Sequence, residues 1–127
     1  MSAILIVDDH VTVCAVIKEV LSDEGHDCTV SYAGADALAK LEVGRFDLVI
    51  LDHNMPKMTG TDVLLALRAD PRNAKLPVLI CTSDSLYQRK AEEGTAAGDP
   101  DACVSKPLDM KRLVEAVAKL ARPSKGA

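Results

Sequence analysis

Three short stretches decide what this chain can fold into. Residues 4–7 (Ile-Leu-Ile-Val), 48–51 (Leu-Val-Ile-Leu) and 78–81 (Val-Leu-Ile-Cys) are apolar at every position. A strand with one face in water alternates apolar with polar residues; a β-branched run that does not alternate is a strand covered on both faces. Between these runs the apolar period becomes helical. Val13, Val16, Ile17, Val20 and Leu21 share one helical face that stops near Gly25, and Leu38 and Leu41 share another over 35–43 that stops at Gly44. A turn around Asn54, Pro56 and Gly60 leads to a helix with Val63, Leu64 and Leu67, ended by Pro71. Weaker strands are expected at Cys28-Thr29-Val30 and Ala102-Cys103-Val104. A charged, Ala-rich helix interrupted by Gly94 is expected over 86–97. Asp109 can cap a last helix bearing Leu113, Val114, Val117 and Leu120.

Strands buried on both faces need a helical layer on each side. The sequence therefore predicts an α/β fold: a doubly wound, five-stranded parallel sheet with five helices. A chain of 127 residues holds one ordinary domain, expected over 1–122 with a short tail at 123–127. Hydrophobic residues make up 48% of it, enough for a core, but the aromatics are only Tyr32, Phe46 and Tyr87. Base-stacking platforms are thereby nearly excluded, and a net charge of -4 brings no general attraction to nucleic acid or to an anionic membrane. No apolar run approaches the length of a membrane span. Cys14, Cys28, Cys81 and Cys103 are scattered in apolar contexts, which reads as free thiols in a reducing compartment. The expectation is a cytoplasmic protein, with neither nucleic acid nor membrane as a partner.

Chemistry is expected where the strands end. The first runs into Asp8 and Asp9, the third into Asp52, the fourth into Thr82, and the fifth into Lys106 and Pro107. In a parallel sheet these ends share one edge, where such folds bind ligands. Each residue alone is commonplace at the start of a loop. Together, three close carboxylates repel one another unless something positive sits among them, and a divalent cation with hard oxygen ligands such as Mg²⁺ fits. His10 and His53 adjoin these aspartates, but the side chain beside a strand-end residue is expected to point elsewhere. The glycines form neither a dinucleotide fingerprint nor a P-loop.

In order and spacing, Val7-Asp8-Asp9, Asp52-His53-Asn54-Met55-Pro56 with Gly60 beyond, Thr82-Ser83 and Lys106-Pro107 resemble the receiver domain of two-component response regulators. The resemblance covers essentially the whole chain and is closest to chemotaxis-type single-domain receivers. It implies the flavodoxin-like receiver fold and phosphorylation of Asp52 by a sensor histidine kinase or a histidine phosphotransfer protein. It implies Mg²⁺ held by Asp8, Asp9, Asp52 and the backbone carbonyl of Asn54. Thr82 and Lys106 would contact phosphoryl oxygens, and the Lys106–Pro107 peptide bond would be cis. Asn54 and Asp84, two residues beyond Asp52 and Thr82, flank the path of a hydrolytic water and would tune the lifetime of the phosphorylated state.

One position departs from the family. Three residues before the lysine, receivers often carry Tyr or Phe; here it is Cys103, which removes the aromatic half of the usual switch. Tyr87 would offer a partner-facing ring on the predicted fourth helix. Output would pass to a protein target through the face built by the fourth helix, fifth strand and fifth helix. Two alternatives fit the residues less well. A Mg²⁺-dependent phosphatase with an aspartyl nucleophile needs an acid two residues on, and Asn54 cannot protonate a leaving group. A phosphorylation-independent scaffold has no use for the full set of Asp8, Asp9, Asp52, Thr82 and Lys106. The expectation is a switch whose only catalysis is its own phosphorylation and dephosphorylation.

Overall fold

The computed structural model describes residues 2–53, 55, 57–73, 75–82, 102–105 and 109–120. All three continuous apolar runs are strands, and each extends to the polar residue at its end or stops just before it. The strands are β1 (Ala3–Val7), β2 (Asp27–Ser31), β3 (Leu48–Asp52), β4 (Val78–Thr82) and β5 (Ala102–Ser105). They form one sheet in the order β2-β1-β3-β4-β5, with every pairing parallel. Every residue of β3 and β4 is buried, as runs without alternation demand.

The helices among the described residues are α1 (Val11–Asp23), α2 (Gly34–Val43), α3 (Gly60–Ala69) and α4 (Met110–Leu120). The helix predicted over 86–97 lies outside the described residues. The sheet separates two apolar clusters. Ile4, Ile6, Leu48, Ile50, Leu79 and Cys81 pack with Cys14, Ile17 and Leu21 of α1 and with Leu113 and Val117 of α4. Leu5, Val7, Val49, Leu51, Val78 and Ile80 pack with Ala37 and Leu41 of α2 and with Val63, Leu64 and Leu67 of α3. Alternate residues of one strand thus feed opposite clusters, each fully buried Leu or Ile contributing about 1.5–3 kcal/mol of transfer free energy.

On α1 the buried stripe is Cys14, Ile17 and Leu21. Val16, predicted on that face, lies 41% exposed, because the stripe runs one position later than the valines suggest. Cys14, Cys28 and Cys81 are buried free thiols, and Cys103 is half-buried. Two devices fix helix starts near the carboxyl edge of the sheet. Thr59 Oγ1 accepts the Asp62 N–H at 3.2 Å while Asp62 Oδ2 accepts the Thr59 N–H at 3.0 Å, a reciprocal capping box for α3. Asp109 Oδ1 accepts the Lys111 and Arg112 N–H groups at 3.0 and 3.3 Å and caps α4 as predicted.

Candidate functional site

The strand order reverses between β1 and β3, and the crevice outside the carboxyl ends of those two strands is where a doubly wound sheet binds ligands. Asp8 and Asp9 follow β1 and Asp52 ends β3, so the topology brings the three carboxylates to that crevice. Asp8 and Asp52 are buried, with only 3% and 1% of their surface exposed. Ligand-capable atoms of Asp8, Asp9, His10 and Asp52 all lie within 4.8 Å of one another.

Local hydrogen bonding holds the cluster. The Asp8 N–H donates to the Ser31 carbonyl at 3.1 Å, tying the end of β1 to β2. Asp8 Oδ1 accepts the His10 backbone N–H at 2.9 Å, a two-residue turn that leads into α1. The Cys14 thiol, one turn into α1, donates to the Asp8 carbonyl at 3.2 Å. Behind Asp52, the His53 N–H donates to the Cys81 carbonyl at 2.9 Å, and the His53 carbonyl accepts the Gly60 N–H at 3.1 Å. Gly60 is required here by close approach: a Cβ would lie 3.0 Å from the Asp52 carbonyl oxygen and 3.0 Å from His53 Cα. The start of α3 therefore sits directly against the backbone of Asp52.

His10 belongs to the site, which corrects the expectation that its ring points elsewhere. Nδ1 stands 2.9 Å from Asp8 Oδ1 and 3.2 Å from Asp9 Oδ1. Alternation across a strand did not apply, because β1 ends at Val7 and His10 is already the extended residue that precedes α1. The hydrogen bond to Asp8 raises the imidazole pKa, and the negative charges of Asp9 and Asp8 add to it. The Cys14 thiol is pushed up to about 11, first by burial and then by the charge of Asp8. His53 is not part of the cluster.

Three close carboxylates with an oxygen-rich edge form a donor set that fits a hard divalent cation. Asp9 Oδ1 strengthens the fit: it is buried and has no hydrogen-bond partner among the described residues. Thr82 is fully buried at the end of β4, the strand adjoining Asp52, and Thr82 pairs in register with Ser105 of β5. Cys103 lies on β5 opposite Ile80, two residues short of that edge. Asn54, Asp84, Tyr87, Lys106 and Pro107, and with them the predicted cis peptide, lie outside the described residues.

These features define a doubly wound α/β protein whose polar site stands at the switch point of a parallel sheet. Comparison with known proteins agrees at each level. The model of the response regulator receiver domain matches residues 4–118. The chain is 40% identical over 118 residues to chemotaxis protein CheY of Pseudomonas aeruginosa, covering 92% of this chain and 94% of that one. Chemotaxis response regulator CheY4 of Vibrio cholerae superposes with a TM-score of 0.84 at 31% identity, over 94% of this chain and 98% of the other. Response regulator TrrA of Thermotoga maritima, solved in complex with Mg²⁺-BeF, superposes with a TM-score of 0.81 at 32% identity, over 94% and 99%.

The chain belongs to the response regulator receiver family. It is a receiver of two-component phosphorelay signalling, homologous to the CheY single-domain regulators. No described helix is long and apolar enough to cross a membrane.

Proposed function

We propose that Asp52 is the phosphoacceptor. The observation that carries this reading is a carboxylate 1% exposed at the end of β3, clustered with Asp8 and Asp9. A buried carboxylate amid two others has no structural purpose that an apolar residue would not serve better. A carboxylate oxygen of Asp52 attacks phosphorus, and the bond from phosphorus to the donor imidazole nitrogen breaks. Its electron pair stays on that nitrogen, and an acyl phosphate forms. The transition state spreads charge over the equatorial oxygens, so positioning and electrostatics dominate. Bound Mg²⁺ would supply charge neutralisation between nucleophile and phosphoryl oxygens, with Asp8, Asp9, Asp52 and the Asn54 carbonyl as its holders.

Thr82 donates its hydroxyl to one phosphoryl oxygen, and Lys106, immediately after β5 in the chain, supplies a point charge to another. The donor is a histidine kinase or a histidine phosphotransfer protein, and the chemistry is confined to the receiver's own carboxylate. The output is a contact with a protein target through the face that includes β5 and α4, where Lys111, Arg112 and Lys119 are exposed. With Cys103 in place of an aromatic ring, the switch does not pass through a rotamer at that position.

The test is labelling with acetyl phosphate and Mg²⁺ followed by mapping of the modified residue. Label is expected on Asp52 alone and is lost in Asp52→Asn. Robust labelling of that variant overturns the assignment.

A further inference from the structure

We infer that His10 is a metal-selecting residue: its ring nitrogen adds a fourth side-chain ligand to the carboxylate site and shifts preference from Mg²⁺ toward divalent first-row transition ions. The inference rests on the reading of Asp8, Asp9 and Asp52 as a cation site and specifies which cation these residues suit. An exposed histidine on an α/β surface ordinarily turns its ring into solvent. Here 62% of the side chain is solvent-exposed, yet Nδ1 is the atom that faces inward, 2.9 Å from Asp8 Oδ1 and 3.2 Å from Asp9 Oδ1. A ring nitrogen of His10 and one carboxylate oxygen from each of Asp8, Asp9 and Asp52 all lie within 4.8 Å of one another. Asp9 Oδ1 is buried and without a hydrogen-bond partner among the described residues, so it is a ligand in waiting beside the imidazole.

Ligand chemistry then decides between cations. Mg²⁺ takes oxygen donors and water and gains nothing from an imidazole nitrogen. Manganese, cobalt and nickel accept nitrogen with affinity rising in that order. Ligation through Nδ1 requires the ring proton on Nε2. The Nδ1 proton that faces Asp8 passes to solvent, and the ring is left neutral with its one proton on the outward nitrogen. Asp8 then trades a hydrogen bond from His10 for the metal, while its bond from the His10 backbone N–H, at 2.9 Å, continues to orient the carboxylate.

Isothermal titration with Mg²⁺, Mn²⁺, Co²⁺ and Ni²⁺, each alone, tests this on the wild-type chain and on His10→Gln, His10→Ala and Asp9→Asn. Both His10 variants are expected to bind Mg²⁺ within about twofold of wild type. They should bind Mn²⁺ a few-fold more weakly and Co²⁺ and Ni²⁺ about tenfold or more weakly. Pulsed paramagnetic resonance of the Mn²⁺-loaded wild type should show coupling to an imidazole nitrogen that both His10 variants lose. Asp9→Asn should weaken every ion, Mg²⁺ included.

Equal losses across all four ions in the His10 variants, or absence of the nitrogen coupling in wild type, overturn the inference and leave the carboxylate site standing. Tighter Mg²⁺ binding on removal of the ring also overturns it, because His10 would then compete with the metal. Failure of wild type to bind any of the ions, with Asp9→Asn indistinguishable from it, overturns the cation site itself.

Discussion

Replacing Gly60 by Ala isolates the contact that seats α3 against the phosphoacceptor strand. Helix propensity argues for stabilisation, since Ala exceeds Gly by up to about 1 kcal/mol inside a helix. Sterics argue the other way. The new Cβ would stand 3.0 Å from the Asp52 carbonyl oxygen and 3.0 Å from His53 Cα, where ordinary contacts begin near 3.4 Å. Something must give by a few tenths of an ångström, and both neighbours are backbone. Neither is free to move: the His53 N–H is bonded to Cys81, and Asp52 pairs with Cys81 in the β3–β4 ladder. Overpacking against fixed atoms costs about 1–3 kcal/mol, so the net expectation is a loss of about 1–2 kcal/mol. For 127 residues each kcal/mol lowers Tm by about 4 °C, giving a drop of about 4–8 °C. Because the displaced group is the backbone of the nucleophile, labelling by acetyl phosphate should also slow by roughly 3–10-fold. Urea and thermal melts with a labelling time course measure both. A variant as stable as wild type, labelled at the wild-type rate, refutes the close-approach argument.

Three further outcomes are expected. Lys57 occupies the left-handed region at φ 67°, so Lys57→Asn should raise stability by about 0.5–1 kcal/mol in urea melts; a loss of stability would contradict the strain reading. Cys14, with its thiol pushed up to about 11, should resist iodoacetamide at pH 8 in the folded protein and react on unfolding; peptide mapping that finds it alkylated in the native state counts against its burial. Asp84→Ala and Asn54→Arg should each prolong phospho-Asp52 by more than about twofold, if those side chains orient the hydrolytic water; unchanged decay in both dismisses that role.

The architecture was legible because burial on both faces removes the alternation that most strands show. The runs at 4–7, 48–51 and 78–81 could be little else, and the parallel sheet followed from them. The convergence of Asp8, Asp9 and Asp52 was readable for the same reason, since parallel strand ends must share an edge. His10 was not readable by that logic. Its position depends on a two-residue turn set by Asp8 Oδ1, a local hydrogen bond that no periodicity encodes. Gly60 reads in the sequence as part of the turn before the helix of Val63, Leu64 and Leu67, whereas α3 begins at Gly60; the Thr59-x-x-Asp62 capping pair carries that information. Val16 misled because an apolar residue at helical spacing is indistinguishable in sequence from one on the buried stripe.

The partition of the apolar interior into two clusters has a consequence for how such a chain can diverge. The sheet acts as an opaque wall: side chains from α1 and α4 meet only one of its sides, those from α2 and α3 only the other. A substitution that reshapes one helical layer can be compensated by neighbours on the same side, with the opposite layer left untouched. Changes across the wall should therefore combine additively, while changes within one side should not. A lineage can redraw the α4 side to meet a new partner and inherit the α2–α3 side unchanged. The carboxylates at the edge, belonging to neither filled half, ride through such revisions intact.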